Sequence, residues 1–190
     1  MAGPFRNPWM HASLGAMLLL LGATTLAAPF VPEDFPVPEH VEAEGFVLVP
    51  LGPAVLEVDF EAYMSSIDHL QRTFTHSQNW PRADLTAEDA VADMAQEAAL
   101  FESRRAFAYA VLTPDGTRER GCIYLRPSVK PGHDAVVRLW VTEAEFEAGF
   151  DGALERWTRR WVADQWPFRA VAWPDRGIPW DQWQALPDAP

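Results

Sequence analysis

Phe107-Ala-Tyr-Ala-Val-Leu-Thr113, Pro114-Asp115-Gly116, Gly121-Cys-Ile-Tyr-Leu-Arg126, Pro131-Gly132 and Ala135-Val-Val-Arg-Leu-Trp-Val141 follow one another in the second half of this 190-residue chain. The three longer runs are rich in β-branched and aromatic residues, which fit a pleated surface. The two Pro/Gly pieces are turn formers, since Pro fixes φ and Gly accepts positive φ. The stretch therefore reads as an antiparallel meander of three strands. Beyond it, Leu154, Trp157, Trp161 and Val162 recur at helical spacing and predict an amphipathic helix from about Asp151 to Asp164. Arg169 to Trp173 is a short strand-like run. A meander feeding a strand–helix–strand crossover predicts an α/β fold of the α+β mixed-sheet kind, with a ligand crevice beside the crossover.

Working back toward the N-terminus, Phe46 to Leu51 is a first strand whose Pro50 places it near an edge. Phe60, Tyr63, Met64, Ile67, Leu70 and Phe74 share one face of a helix predicted from Asp59 to Phe74. Asn79-Trp80-Pro81 ends that pattern. Thr86 followed by Asp89 is an approximate capping box, from which a helix runs to about Arg104. The Pro-rich residues 28 to 45 read as an extended arm whose Phe30, Val31 and Phe35 can pack onto a domain spanning 46 to 190. The tail holds Trp173, Trp180 and Trp183, read either as a clasp over the sheet or as an aromatic ligand platform.

Residues 1 to 27 have the pattern of a secretory signal peptide: lone Arg6, an apolar run from Leu14, and small residues at Thr25 and Ala27. The predicted localisation is export to the periplasm or medium. A membrane-anchored form, or a cytoplasmic one from a later start, are the alternatives. Hydrophobic residues at 48 %, with nine Trp and eleven Phe, exclude extensive disorder. A net charge of −12 excludes nonspecific nucleic-acid binding, because the chain repels phosphates. Cys122 is the only cysteine, so no intrachain disulfide forms. Within a strand it reads as a small buried apolar residue. His11, His40, His69, His76 and His133 lack metal-ligand spacing, and no metal site is predicted.

The order β, α, α, β, β, β, α, β resembles the GNAT acyltransferase superfamily over roughly residues 30 to 185. The phrases Phe107-Ala-Tyr-Ala-Val-Leu, Gly121-Cys-Ile-Tyr-Leu and Leu139-Trp-Val, with the Phe30-Val-Pro-Glu-Asp-Phe arm and Trp166-Pro-Phe, are similar to an atypical bacterial GNAT-like subgroup. The resemblance implies a mostly antiparallel sheet flanked by helices, and transfer of an acyl group from acetyl-CoA or another acyl-CoA to an amine of a small molecule or peptide. It implies cofactor contacts at Leu139, Trp140, Val141 and Thr142, and at Gly152 in the following helix. Tyr124 is a candidate acid on the thiolate side, or else an ordinary packing tyrosine. Arg138 is a candidate anion contact or a surface salt bridge.

Two departures qualify the resemblance. The family cradles pyrophosphate with Gln or Arg, two residues, Gly, one residue, then Gly or Ala. Here Thr142-Glu-Ala-Glu-Phe-Glu-Ala-Gly-Phe-Asp-Gly152 lacks the basic residue and the spacing, and Glu143, Glu145, Glu147 and Asp151 oppose phosphate by like charge. Asp151 is expected to cap the helix. The C-terminal part is also truncated relative to the family. The acceptor side is then incomplete or is completed by a second copy in a homodimer. The alternative function is an inactive GNAT-fold binding module of the cell envelope.

Overall fold

The computed structural model describes residues 30–189, so the predicted leader lies outside the described residues. Six strands form one sheet in chain order: β1 (Val41–Ala43), β2 (Phe46–Pro50), β3 (Phe107–Leu112), β4 (Glu119–Pro127), β5 (Ala135–Val141) and β6 (Val171–Ala172). Every neighbouring pair is antiparallel except β5 and β6, which run parallel. The predicted mixed, mostly antiparallel sheet is thus observed. The helices are α1 (Leu56–Met64), α2 (Ile67–Leu70), α3 (Ala87–Glu102), α4 (Glu143–Glu147), α5 (Phe150–Gln165) and α6 (Trp180–Ala185). Among the described residues, no helix is long and apolar enough to cross a membrane.

Strand alternation divides the core into two layers. Phe46, Leu48, Phe107, Tyr109, Val111, Ile123, Leu125, Val137, Leu139 and Val141 pack against Leu154, Trp161 and Val162 of α5. On the opposite face, Val47, Ala108, Ala110, Leu112, Cys122 and Trp140 meet Ala62 and Tyr63 of α1 and Met94 of α3. The small residues Ala108 and Ala110 let those two helices approach the sheet closely. The arm packs as expected: Val31 is buried, and Phe30 and Phe35 lie against the α5 layer. Arg104 fixes it by donating to the carbonyls of Pro32 and Phe35.

Several expectations need correction. The end of the arm is β1, an edge strand joined to β2 by a tight turn in which Gly45 takes φ +83°, a conformation suited to glycine. The helix predicted from Asp59 to Phe74 starts earlier, at Leu56, and breaks at Ser65-Ser66; α2 follows, then a π-helical turn over Gln71–Thr75. Ser65 Oγ donates to the Ala62 carbonyl, and Ser66 Oγ accepts the Glu143 backbone N–H at 2.9 Å, so the break is held from a distant part of the chain. Thr86 and Asp89 do form a reciprocal capping box. Asp151 is not a cap. Gly149 occupies that position with φ +79°, and Asp151 lies in the first turn of α5.

Candidate functional site

β5 and β6 pair only through Ala135–Val171 and Val136–Ala172. Among the described residues, β5 from Val137 onward keeps β4 on one side and has no strand on the other. The chain after β6 instead turns through Pro174 and Ile178, which form an isolated bridge. The result is a crevice of about 400 Å³ whose walls include Leu139, Trp140 and Val141 from β5 and Asp151 and Glu155 from α5. Three of the five predicted cofactor contacts therefore line it. Thr142 and Gly152 do not: Thr142 caps α4 through its hydroxyl and gives its backbone N–H to the Arg120 carbonyl.

Arg176 crosses the crevice. Its guanidinium grips Asp151 with two bonds of 2.7 and 3.0 Å, reaches Glu155 at 3.1 Å, and touches the Leu139 carbonyl at 3.5 Å. Burial alone would lower the pKa of Arg176, but these carboxylates outweigh it and raise it. Arginine is the residue suited to such a two-pronged carboxylate contact.

The acidic loop is less repulsive than its sequence implies. Glu145 is buried between Arg118 at 2.8 Å and Arg120 at 2.5 Å, and these partners overcome burial to lower its pKa. Glu143 lies 3.6 Å from Arg72, and Asp151 is held by Arg176. Of the four carboxylates predicted to oppose phosphate, Glu147 alone lacks an ion-pair partner among the described residues.

On the α1–α3 face a second cavity, also about 400 Å³, is lined by residues including Asp59, Tyr63, Phe74, Trp80 and Tyr124. The two spaces are linked through Trp140, which lines the crevice and whose indole N–H donates to the Tyr124 hydroxyl at 3.3 Å. Tyr124 belongs to this second cavity. Burial holds its pKa well above that of a free phenol, so it is a neutral hydroxyl. Arg138 forms the predicted salt bridge, to Asp175 at 3.6 Å, donates to the Phe74 carbonyl, and lies between the rings of Phe74 and Trp180. The tail acts as a clasp: Trp180 stacks on His76, and Trp183 is buried.

Sequence reasoning missed the polar group beside this cavity. A β-bulge in β4 opposes Val111 to Gly121 but Leu112 to Glu119, leaving Arg120 as the extra residue. Simple alternation would send Glu119 to the α5 face with Ile123. The bulge turns it to the other face, where Cys122 Sγ lies 3.0 Å from Glu119 Oε1 and 3.6 Å from Asp59 Oδ1. All three residues are buried. Burial drives Asp59 up to about 6 against the bonds it accepts, and drives Glu119 well above the carboxylate range, with the Asp59 charge adding to the effect. Both carboxyls therefore hold a proton more tightly than free side chains do, and Glu119 Oε2 is buried without a hydrogen-bond partner among the described residues. Cys122 is likewise pushed up by burial and is a protonated, unreactive thiol. The ligand atoms of Asp59, Glu119 and Cys122 lie within 4.8 Å of one another, which makes them the residues that could hold a metal ion.

No protein-family model matches the chain, and no curated protein matches it. Among solved structures, a ribosomal-protein-S5-alanine acetyltransferase from Vibrio fischeri is 14 % identical with a TM-score of 0.49, the match covering 65 % of this chain and 66 % of that one. A protein classed with the GnaT-family acetyltransferases from Bordetella pertussis is 20 % identical with a TM-score of 0.43, covering 65 % of this chain and 74 % of that one. A third chain described as an acetyltransferase is 18 % identical with a TM-score of 0.46, covering 67 % and 60 %. At these identities and scores nothing about activity follows. The strand order and the single parallel β5–β6 contact agree with the mostly antiparallel sheet that the GNAT resemblance implies.

Proposed function

We propose that this chain transfers an acyl group from an acyl-CoA to an amine. The observation that carries the reading is the crevice where β6 leaves β5, with the Leu139 carbonyl facing it. An extended pantetheine arm carries amides that can pair with a free strand edge, as an added strand would. Leu139, Trp140 and Val141 would hold that arm. The Arg176 contact to the Leu139 carbonyl, at 3.5 Å, is the one a bound arm would displace. In the reaction, the neutral amine attacks the thioester carbonyl, the C–S bond breaks, and an amide and a CoA thiolate form. The thiolate takes up a proton and the amine loses one. Tyr124, a neutral phenol bonded to Trp140, is the candidate donor to the thiolate.

The acceptor is a small-molecule or peptide amine. The leader pattern supports export, which N-terminal sequencing of the protein from its native host would test. Thiol release from acetyl-CoA in the presence of a panel of primary amines tests the activity. Release that depends on the amine supports the reading; release at the buffer rate with every amine contradicts it.

One observation favours a second reading, a GNAT-shaped binding module that has lost catalysis. Arg176 and its two carboxylates already occupy the crevice where the cofactor would lie. A chain that neither binds nor turns over acyl-CoA would take this role.

A further inference from the structure

The bulge in β4 places the Glu119 side chain in the core, where it is 1 % exposed. One of its carboxyl oxygens, Oε1, accepts from Cys122 Sγ. The other, Oε2, is buried with no hydrogen-bond partner among the described residues. Buried polar atoms are almost always paired, and one that is not points to a group that would satisfy it, an ion among them.

The neighbours of Glu119 fit a metal ion. Asp59 comes from α1 and Cys122 from β4, and one ligand atom from each of the three residues falls within 4.8 Å of the others. A tetrahedral zinc ion, bound at about 2.3 Å to sulfur and about 2.0–2.2 Å to oxygen, sets those ligand atoms roughly 3.5–3.7 Å apart. Cys122 Sγ is 3.6 Å from Asp59 Oδ1 and 3.0 Å from Glu119 Oε1. The first separation already matches. The second needs a shift of roughly 0.5 Å in the Glu119 carboxyl, or ligation through Oε2 instead.

The donor set selects the metal. One thiolate with two carboxylates suits a borderline-soft divalent ion such as zinc, whereas magnesium and calcium take oxygen ligands. Asp59 also lines the cavity between α1, α3 and β4, which gives the ion an entry path and room for a water as fourth ligand. The two arginines on the same lining are engaged elsewhere, Arg126 with Glu97 at 2.6 Å and Arg138 with Asp175 at 3.6 Å.

We propose that Asp59, Glu119 and Cys122 form a zinc site that ties α1 to β4. As the sulfur–zinc bond forms, the Cys122 thiol releases its proton to solvent. The inference goes beyond the acyl-transfer reading, because the ion is measured without acyl-CoA and the site stands if no transfer occurs.

The test uses the full chain, stripped by dialysis against a chelator and reloaded with zinc or with cobalt(II) as its spectroscopic stand-in. Elemental analysis is expected to find about one zinc per chain. Cobalt is expected to give a thiolate-to-metal charge-transfer band, which in a chain with a single cysteine reports on Cys122. Excess magnesium or calcium leaves that band in place. Cys122→Ser removes the band. Cys122→Ser and Asp59→Asn each weaken zinc binding, read by competition with a chelating dye, by more than the roughly 10–100-fold that loss of an outer-shell partner costs. A serine hydroxyl can keep the bond to Glu119, so Cys122→Ser is expected to fold, which circular dichroism checks. If neither variant folds, the cobalt band of the wild-type chain decides. No thiolate band in the cobalt-loaded wild type, a band abolished by magnesium, or unchanged zinc affinity in either folded variant would each overturn the proposal.

Discussion

The Asp59→Asn substitution gives the sharpest prediction about stability. Asp59 is buried, and its carboxyl is raised from 3.8 to about 6. A folded-state pKa above the unfolded one means that the folded protein holds the proton more tightly. The contribution is therefore fully present below pH 3.8 and is lost as pH rises through about 6. The whole interval corresponds to about 3 kcal/mol, taking about 1.4 kcal/mol per tenfold change in proton affinity. An unfolded aspartate is already largely ionised at about pH 4.5, so about 2 kcal/mol of the effect falls between about pH 4.5 and 7.5. Glu119 is raised as well, by burial first and then by the Asp59 charge, and its contribution is lost with rising pH in the same sense. Other carboxylates change stability in the opposite sense. Asp134 accepts backbone bonds that lower its pKa, so its contribution is lost at acid pH. The useful quantity is therefore the difference between wild type and variant. Urea unfolding at several pH values should show Asp59→Asn gaining about 2 kcal/mol on wild type as pH rises over this window. A constant difference, or a variant that loses ground as pH rises, would refute the account of Asp59 as a carboxyl whose proton is held by burial.

Three further outcomes follow from the packing. Arg176→Ala leaves Asp151 and Glu155 facing each other in the crevice, and should cost about 2–4 kcal/mol in urea unfolding. Trp161→Ala removes a buried indole that packs edge-on against Tyr109 and Trp166, and should cost about 3–5 kcal/mol by the same assay. Gly121→Ala should abolish cooperative thermal unfolding, because a Cβ there runs into the Trp140 backbone carbonyl on the neighbouring strand. A soluble Gly121→Ala variant with wild-type Tm would show that the β4–β5 register is wrong.

The parts of the fold that were legible in the sequence are those set by local periodicity. β5 has the predicted bounds, α5 shows its Leu154–Trp161–Val162 stripe, and the Thr86–Asp89 capping box forms, because each depends on residues a few positions apart. The break after α1 was not legible, since Ser66 is bonded to Glu143, and Ser65-Ser66 alone does not end a helical pattern. Nor was the shift in β4. Arg118 to Gly121 gives no alternation to read, and a single extra residue decides which face Glu119 joins. The acidic loop was misread for a related reason. Its formal charges are visible in sequence, but Arg118 and Arg120, Arg72, and Arg176 reach it from three other places in the chain. For the candidate site, Leu139 to Val141 are expected from the family resemblance and line the crevice, whereas Asp59 and Glu119 meet only through tertiary contact between α1 and β4.

The account's central claim is that the free edge of β5 receives the pantetheine arm of acyl-CoA. Calorimetric titration of the purified protein with CoA tests it directly. The account predicts saturable micromolar binding that weakens in Arg176→Ala, where Asp151 and Glu155 are left without their cation in the crevice. No heat and no thermal shift at millimolar CoA, in wild type and in the folded variant alike, would contradict it.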